Sequence, residues 1–109
     1  MVKIDLDIVI PVYNEGENIK DLLYALRRDV KTPFKVLICY DFDEDSTLSA
    51  LKQIGDPGFE IVLVKNKGKG VHGAIMTGFS ESAAPSVLMF PADEAYNVGI
   101  IDLMYERFK

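Results

Sequence analysis

The sequence predicts an α/β fold in which an open, mostly parallel sheet lies between two layers of helices. Two observations carry that prediction. Four short apolar runs, "IDLDIVIPV", "FKVLICY", "FEIVLV" and "SVLMF", recur along the 109 residues, and three of them show little polar alternation. Strands buried on both faces of a parallel sheet have this pattern, whereas half-solvated strands alternate. The segments between the runs are helical in character. The resulting β-α-β-α-β-α-β order implies right-handed crossovers and a three-layer, Rossmann-like α/β/α arrangement.

Each helical segment carries its own signals. "GENIKDLLYALRRDV" spaces Ile19, Leu22, Leu23 and Leu26 as one helix face. It also places Glu17 early and Arg27 and Arg28 late, as the helix dipole prefers. "DSTLSALKQIG" offers Asp45 or Ser46 as N-cap and Gly55 as C-cap. "GVHGAIMTGFSESA" is a looser helix, in which Gly73 and Gly78 imply close packing or a close ligand rather than high propensity. The last segment, "VGIIDLMYERFK", is apolar and compatible with a helix.

Composition narrows the functional classes. One domain is the expectation at this length, with roughly 65% of the unfolded surface buried. A net charge of −5 argues against a general nucleic-acid or membrane-surface binder, though not against a nucleotide ligand. Cys39 is the only cysteine, which excludes a disulfide framework, and its apolar surroundings predict a buried, inert thiol. No apolar stretch approaches the ~20 residues of a membrane span, and no signal-peptide pattern opens the chain. A soluble, cytoplasmic domain is the resulting expectation.

In an open parallel sheet, ligands bind beyond the carboxyl ends of the strands, where strand order reverses. The informative residues should therefore follow each run, in "PVYNEGEN", "YDFDEDST", "KNKGKGVHG" and "PADEAYN". Three of these loops carry carboxylates, and the remaining one carries Lys65, Lys67 and Lys69. That combination suits a phosphorylated ligand bridged by a divalent cation.

Local structure explains part of each loop. Pro11 ends the first strand, Asn14 is placed to cap the next helix, and Glu17 completes a capping box, leaving Tyr13 and Glu15 for a ligand. In "DFDEDST", Asp41, Asp43, Glu44 and Asp45 repel one another unless a cation or hydrogen-bond donors compensate. Asp41, the first beyond its strand, is the preferred ligand contact, then Asp43, with Glu44 and Asp45 solvated. "GKGVHG" has neither phosphate-loop spacing, so Gly68 and Gly70 can equally serve a tight turn, and His72 reads as an ordinary helix imidazole. Asp93 is either an N-cap or, together with the other loops, a metal ligand.

Taken in order, "VIPVYNEGENI", "YDFDEDST", "NKGKGVHGAIMTGF" and "MFPADE" resemble the inverting family 2 glycosyltransferases of the GT-A fold, in particular their dolichol-phosphate-mannose-synthase-like branch. The resemblance covers nearly the whole chain. It implies that Pro11, Tyr13, Glu15 and Asp41 surround the base and ribose of a nucleotide. It also implies that the stretch with Lys69, Gly70 and Gly73 packs beneath the nucleotide. A D-x-D motif would then hold the sugar diphosphate with Mg²⁺ or Mn²⁺. Here that triplet reads Pro91-Ala92-Asp93, so Asp93 is the one metal-side carboxylate, with Ala92 beside the ligand and Glu94 directed elsewhere. Tyr40 likewise replaces the first aspartate of the commoner "DDGS" loop.

The resemblance further implies a GDP- or UDP-sugar donor and a polyprenyl or other lipid phosphate as acceptor. Residues 1–109 correspond to the nucleotide-sugar-binding half, truncated at the C-terminus, with no residue assignable as general base and no turnover expected from this half alone. The full-length enzyme would be membrane-associated. A truncated sheet leaves apolar surface to cover, which predicts a homodimer. Three other readings compete. A non-catalytic GT-A-like domain that binds a nucleotide or partner would explain Pro91. A receiver-like signalling domain would need a lysine at its last strand and a fifth βα unit, and neither is visible. A nucleotidyltransferase would need an early glycine-rich basic loop, which "PVYNEGEN" is not.

Overall fold

The first two apolar runs become the two central strands. The computed structural model describes residues 3–67 and 70–108. Strands β1 (Leu6–Pro11), β2 (Phe34–Tyr40), β3 (Ile61–Lys65) and β4 (Ser86–Met89) form one parallel sheet in the order β3-β2-β1-β4. Helices α1 (Gly16–Asp29), α2 (Ser46–Ile54) and α3 (Gly70–Glu81) make the crossovers, and a 3-10 turn at Ala95–Asn97 leads to α4 (Ile100–Phe108). This is the three-layer α/β/α architecture expected from the pattern.

Topology decides where a ligand can sit. The chain steps outward from β1 to β2 to β3, then returns to place β4 on the free side of β1. Strand order therefore reverses between β1 and β4, which makes the carboxyl ends of those two strands the switch point.

The core divides into two layers. On one face Leu6, Ile8, Ile10, Val36 and Ile38 pack with Ile19, Leu22, Leu23 and Leu26 of α1 and Ile101 of α4. On the other, Val9, Leu37, Cys39, Val64 and Ala74 form a smaller cluster beneath α3. Gly78 permits that close approach: a Cβ there would lie 2.5 Å from Val9 Cγ1 and 2.8 Å from Cys39 Sγ. Its role is thus packing. Burial pushes the Cys39 thiol up to about 11, in line with an inert residue. Only β1 and β2 are buried on both faces. Leu63 on β3, and Val87 and Met89 on β4, are exposed, because these are edge strands and α3 does not cover β4.

Two carboxylates tie the layers together at the opposite end from the switch point. Asp7, fully buried in β1, accepts Ser82 Oγ at 2.8 Å and the backbone N–H groups of Ala83 and Ala84 at 2.9 and 3.0 Å. It also pairs with Lys35 at 2.7 Å. Burial opposes its charge, but Lys35 and these hydrogen bonds outweigh it and hold the carboxyl below its ordinary range. Asp102 of α4 accepts the N–H groups of Lys31 and Thr32 and the Thr32 hydroxyl, which docks α4 against the α1–β2 turn.

Candidate functional site

The end of β1 opens toward the switch point because of Pro11. Val12 donates its N–H to Cys39 on the β2 side at 2.9 Å, so position 11 faces the β4 side. The β1–β4 ladder stops at Val9 opposite Met89, and Phe90 makes the last bond to Val9 O. Pro11, which lacks an N–H, thus occupies a position where nothing remains to receive one.

The following loop differs from its sequence reading. Asn14 does not cap α1, and no capping box forms; Glu15 occupies the N-cap position without a side-chain cap. Asn14 instead adopts a left-handed φ of 51° and accepts the Ser46 N–H at 2.9 Å, so it serves the amino end of α2. Asn tolerates this conformation better than most residues. In return, Asn14 N–H donates to Asp45 Oδ2 at 3.0 Å, Glu15 N–H to Thr47 Oγ1 at 2.9 Å, and Gly16 N–H to Ser46 Oγ at 3.2 Å. The two loops satisfy one another's unpaired backbone groups. A pattern confined to one segment cannot reveal this, because the partners lie some thirty positions apart.

The acidic loop after β2 is resolved by internal donors. Asp45, expected to be solvated, is 1% exposed: it caps α2 through Thr47 N–H at 2.8 Å and receives Asn14 as well. Asp41 accepts Asn66 Nδ2 at 2.6 Å, and Asp43 pairs with Lys65 at 3.2 Å on the surface. Only Glu44 is exposed with none of these contacts to the neighbouring loops. Tyr13, 66% exposed, stands edge-on to Phe42 with ring centroids 5.7 Å apart, so an aromatic pair spans the ends of β1 and β2.

Beyond β3, Asn66 extends the network. Its Oδ1 accepts the Thr77 hydroxyl at 3.1 Å, and Thr77 Oγ1 in turn accepts the Lys67 N–H at 3.2 Å. Asn66, Thr77 and Phe42 were not singled out from sequence; the position of Asn66 directly after a strand was the available signal. Gly68 and Lys69 lie outside the described residues, and so does the side chain of His72. Gly70 opens α3, and Gly73 lies half-buried in its first turns.

At the end of β4, Phe90 and Ala92 are buried in the larger core, while Asp93 turns outward and is exposed. Glu94 is engaged elsewhere, accepting Asn97 Nδ2 at 2.8 Å. The fold thus gathers Pro11, Tyr13, Glu15, Asp41, Asp43 and Asp93 on the carboxyl edge of the sheet, with the side chain of Ala92 turned inward. The edge offers exposed aromatic surface, fixed carboxylate acceptors and, at the end of β4, the outward carboxylate of Asp93, which together suit a ligand with a flat ring, hydroxyls and phosphates. Among the described residues, no three His, Cys, Asp or Glu side chains converge as a metal cage. The exposed carboxylate of Asp93 nevertheless fits a divalent ion that arrives with a diphosphate, since such ions take only one or two protein carboxylates.

Comparison with known proteins gives a consistent picture. The family model "Glycosyl transferase family 2" matches residues 7–109. An undecaprenyl-phosphate 4-deoxy-4-formamido-L-arabinose transferase of Sodalis glossinidius is 36% identical over 98 residues, covering 84% of this chain and 30% of the relative. The crystal structure of S. aureus TarS 1-349 superposes with a TM-score of 0.72 at 17% identity, over 95% of this chain and 33% of that one. Glucosyl-3-phosphoglycerate synthase from Mycobacterium tuberculosis, solved with Mn²⁺, uridine diphosphate and glucosyl-3-phosphoglycerate, gives 0.62 at 14% identity over 81% of this chain and 33% of that one. The chain spans about a third or less of the length of each.

Proposed function

The chain belongs to glycosyl transferase family 2, and on that premise we propose that it is the donor-binding part of an inverting sugar transferase. Its ligand is a nucleotide-diphospho-sugar, a UDP- or GDP-sugar, lying across the switch point. The single observation that carries this reading is the convergence of the β1, β2 and β4 loops on that edge.

In this reading Tyr13 and Phe42 border the base, Asp41 and Glu15 accept hydrogen bonds from base or ribose, and Asp93 faces the diphosphate. Asp41 is suited to this task because Asn66 fixes one of its oxygens and leaves the other to accept. Mg²⁺ or Mn²⁺, held with the diphosphate by Asp93, would offset the charge of the departing nucleoside diphosphate. The uridine diphosphate and Mn²⁺ bound to the mycobacterial synthase support this assignment.

The acceptor, for a longer protein containing this chain, is a polyprenyl phosphate, as the name of the Sodalis relative suggests. A soluble nucleotide sugar and a lipid phosphate meet at the cytoplasmic face of a membrane, which is where we locate the reaction. Self-association through β4 belongs to the same proposal: its outer edge is unpaired, uncharged and flanked by exposed Val87 and Met89. Sedimentation showing a monomer at high concentration would remove that part.

Thermal unfolding with UDP, GDP and UDP-GlcNAc, each with Mn²⁺ or with chelator, tests the donor site. A ligand at a hundredfold excess over its Kd adds about 2.7 kcal/mol. The expected outcome is a metal-dependent rise with one base, lost in Asp93→Ala. Pro91, standing where an aspartate is usual, favours a second reading, a non-catalytic nucleotide-binding domain; a rise that chelator leaves intact would select it.

A further inference from the structure

We infer that Asp45 and Thr47 are positioning residues: they act through backbone hydrogen bonds to preset the Tyr13–Glu15 segment before any ligand arrives. The inference rests on the donor-site reading above and deepens it. Neither side chain is available to touch a ligand. Asp45 is 1% exposed and Thr47 is fully buried.

Their partners are the backbone of the loop that carries Tyr13 and Glu15. Asp45 divides its two oxygens, Oδ2 for Asn14 N–H at 3.0 Å and Oδ1 for Thr47 N–H at 2.8 Å. Thr47 Oγ1 takes Glu15 N–H at 2.9 Å, and Asn14 closes the exchange by accepting Ser46 N–H. An ordinary helix cap needs only the bond within its own turn. The bonds to Asn14 and Glu15 are additional, and they hold Asn14 at its positive φ.

Ligand-binding loops at strand ends are otherwise among the more mobile, less stable parts of a fold. Fixing this one in advance removes the ordering cost from the ligand's affinity. Because one set of bonds joins the loops after β1 and β2, the aromatic pair Tyr13–Phe42 and the carboxylate Asp41 are held as one unit.

The test compares wild type with Thr47→Val, which keeps the shape and loses the acceptor, and Thr47→Ser, which restores it. Two readings are taken: calorimetric titration with UDP or GDP plus Mn²⁺, well below the unfolding temperature of each variant, and amide hydrogen exchange. The expected result is an affinity about fivefold weaker in Thr47→Val, faster exchange at Glu15 with Val9 unchanged, and recovery of both in Thr47→Ser. Wild-type affinity in Thr47→Val alongside faster Glu15 exchange would show a purely structural role and overturn the inference. Unchanged exchange at Glu15 would overturn it too. If wild type binds neither nucleotide, the donor-site reading itself fails, and that result comes from the unmodified protein alone.

Discussion

Asn66 Nδ2 donates to Asp41 Oδ1 across 2.6 Å, which joins the end of β3 to the end of β2 at the carboxyl edge of the sheet. The bond orients the carboxylate that the donor-site reading places against base or ribose. Thr77 holds the other end of the Asn66 amide, so α3 also contributes to this orientation. Asn66→Ala should therefore cost about 1 kcal/mol of stability, and it should weaken UDP or GDP binding beyond what that loss explains. Urea unfolding and calorimetric titration of the same preparation check both parts.

Asp7 predicts an acid-sensitive contribution to stability. Its carboxyl is held below the ordinary range, so the folded state favours the charged form. Stability from this group is present above the unfolded carboxyl value of about 3.9 and is lost as pH falls through the lower folded value. Lys35→Met removes its partner while leaving it buried, which raises the folded value and moves acid unfolding to higher pH. Asp7→Asn should lower stability at neutral pH by about 3 kcal/mol and flatten the acid limb. Far-UV dichroism against pH, for wild type and both variants, gives the comparison.

Gly78→Ala should destabilise by about 1–3 kcal/mol, because the added methyl overlaps Val9 and the Cys39 sulfur. Cys39→Ala makes room on one side. The double variant should accordingly lose less than the sum of the two single changes, and thermal melts of the four proteins would expose the coupling.

Cys39 itself should be silent to thiol reagents in the native state. Burial raises its value to about 11, so little thiolate exists at neutral pH and access is closed. Modification by an aromatic disulfide reagent should appear only with the unfolding transition in urea. Stoichiometric reaction in buffer would contradict the packing of α3 on β2.

Several features were legible from sequence because they are local. The runs that became β1 and β2 contain unbroken apolar stretches, Ile8–Ile10 and Val36–Cys39, since both faces are covered there, and the sequence records that directly. Asp45 as the α2 cap and Gly55 at its end, with φ of 75°, follow from residue preferences within one turn. The resemblance of the strand-end loops to family 2 glycosyltransferases matched the family shown by residues 7–109.

What only the tertiary structure decided were partners distant along the chain. Asn14 has the chemistry of a cap, and sequence assigned it to the nearest helix; the fold gave it to α2, because parallel strands side by side bring their following loops into contact. Asp45 looked like one more solvated acid in a charged loop, yet it is buried between two backbone segments whose N–H groups replace water. Asp7, an acid inside a core strand, makes sense only once Lys35 and the turn after α3 surround it. Residue type determined what each group could donate or accept, and the crossover topology determined which group would meet it.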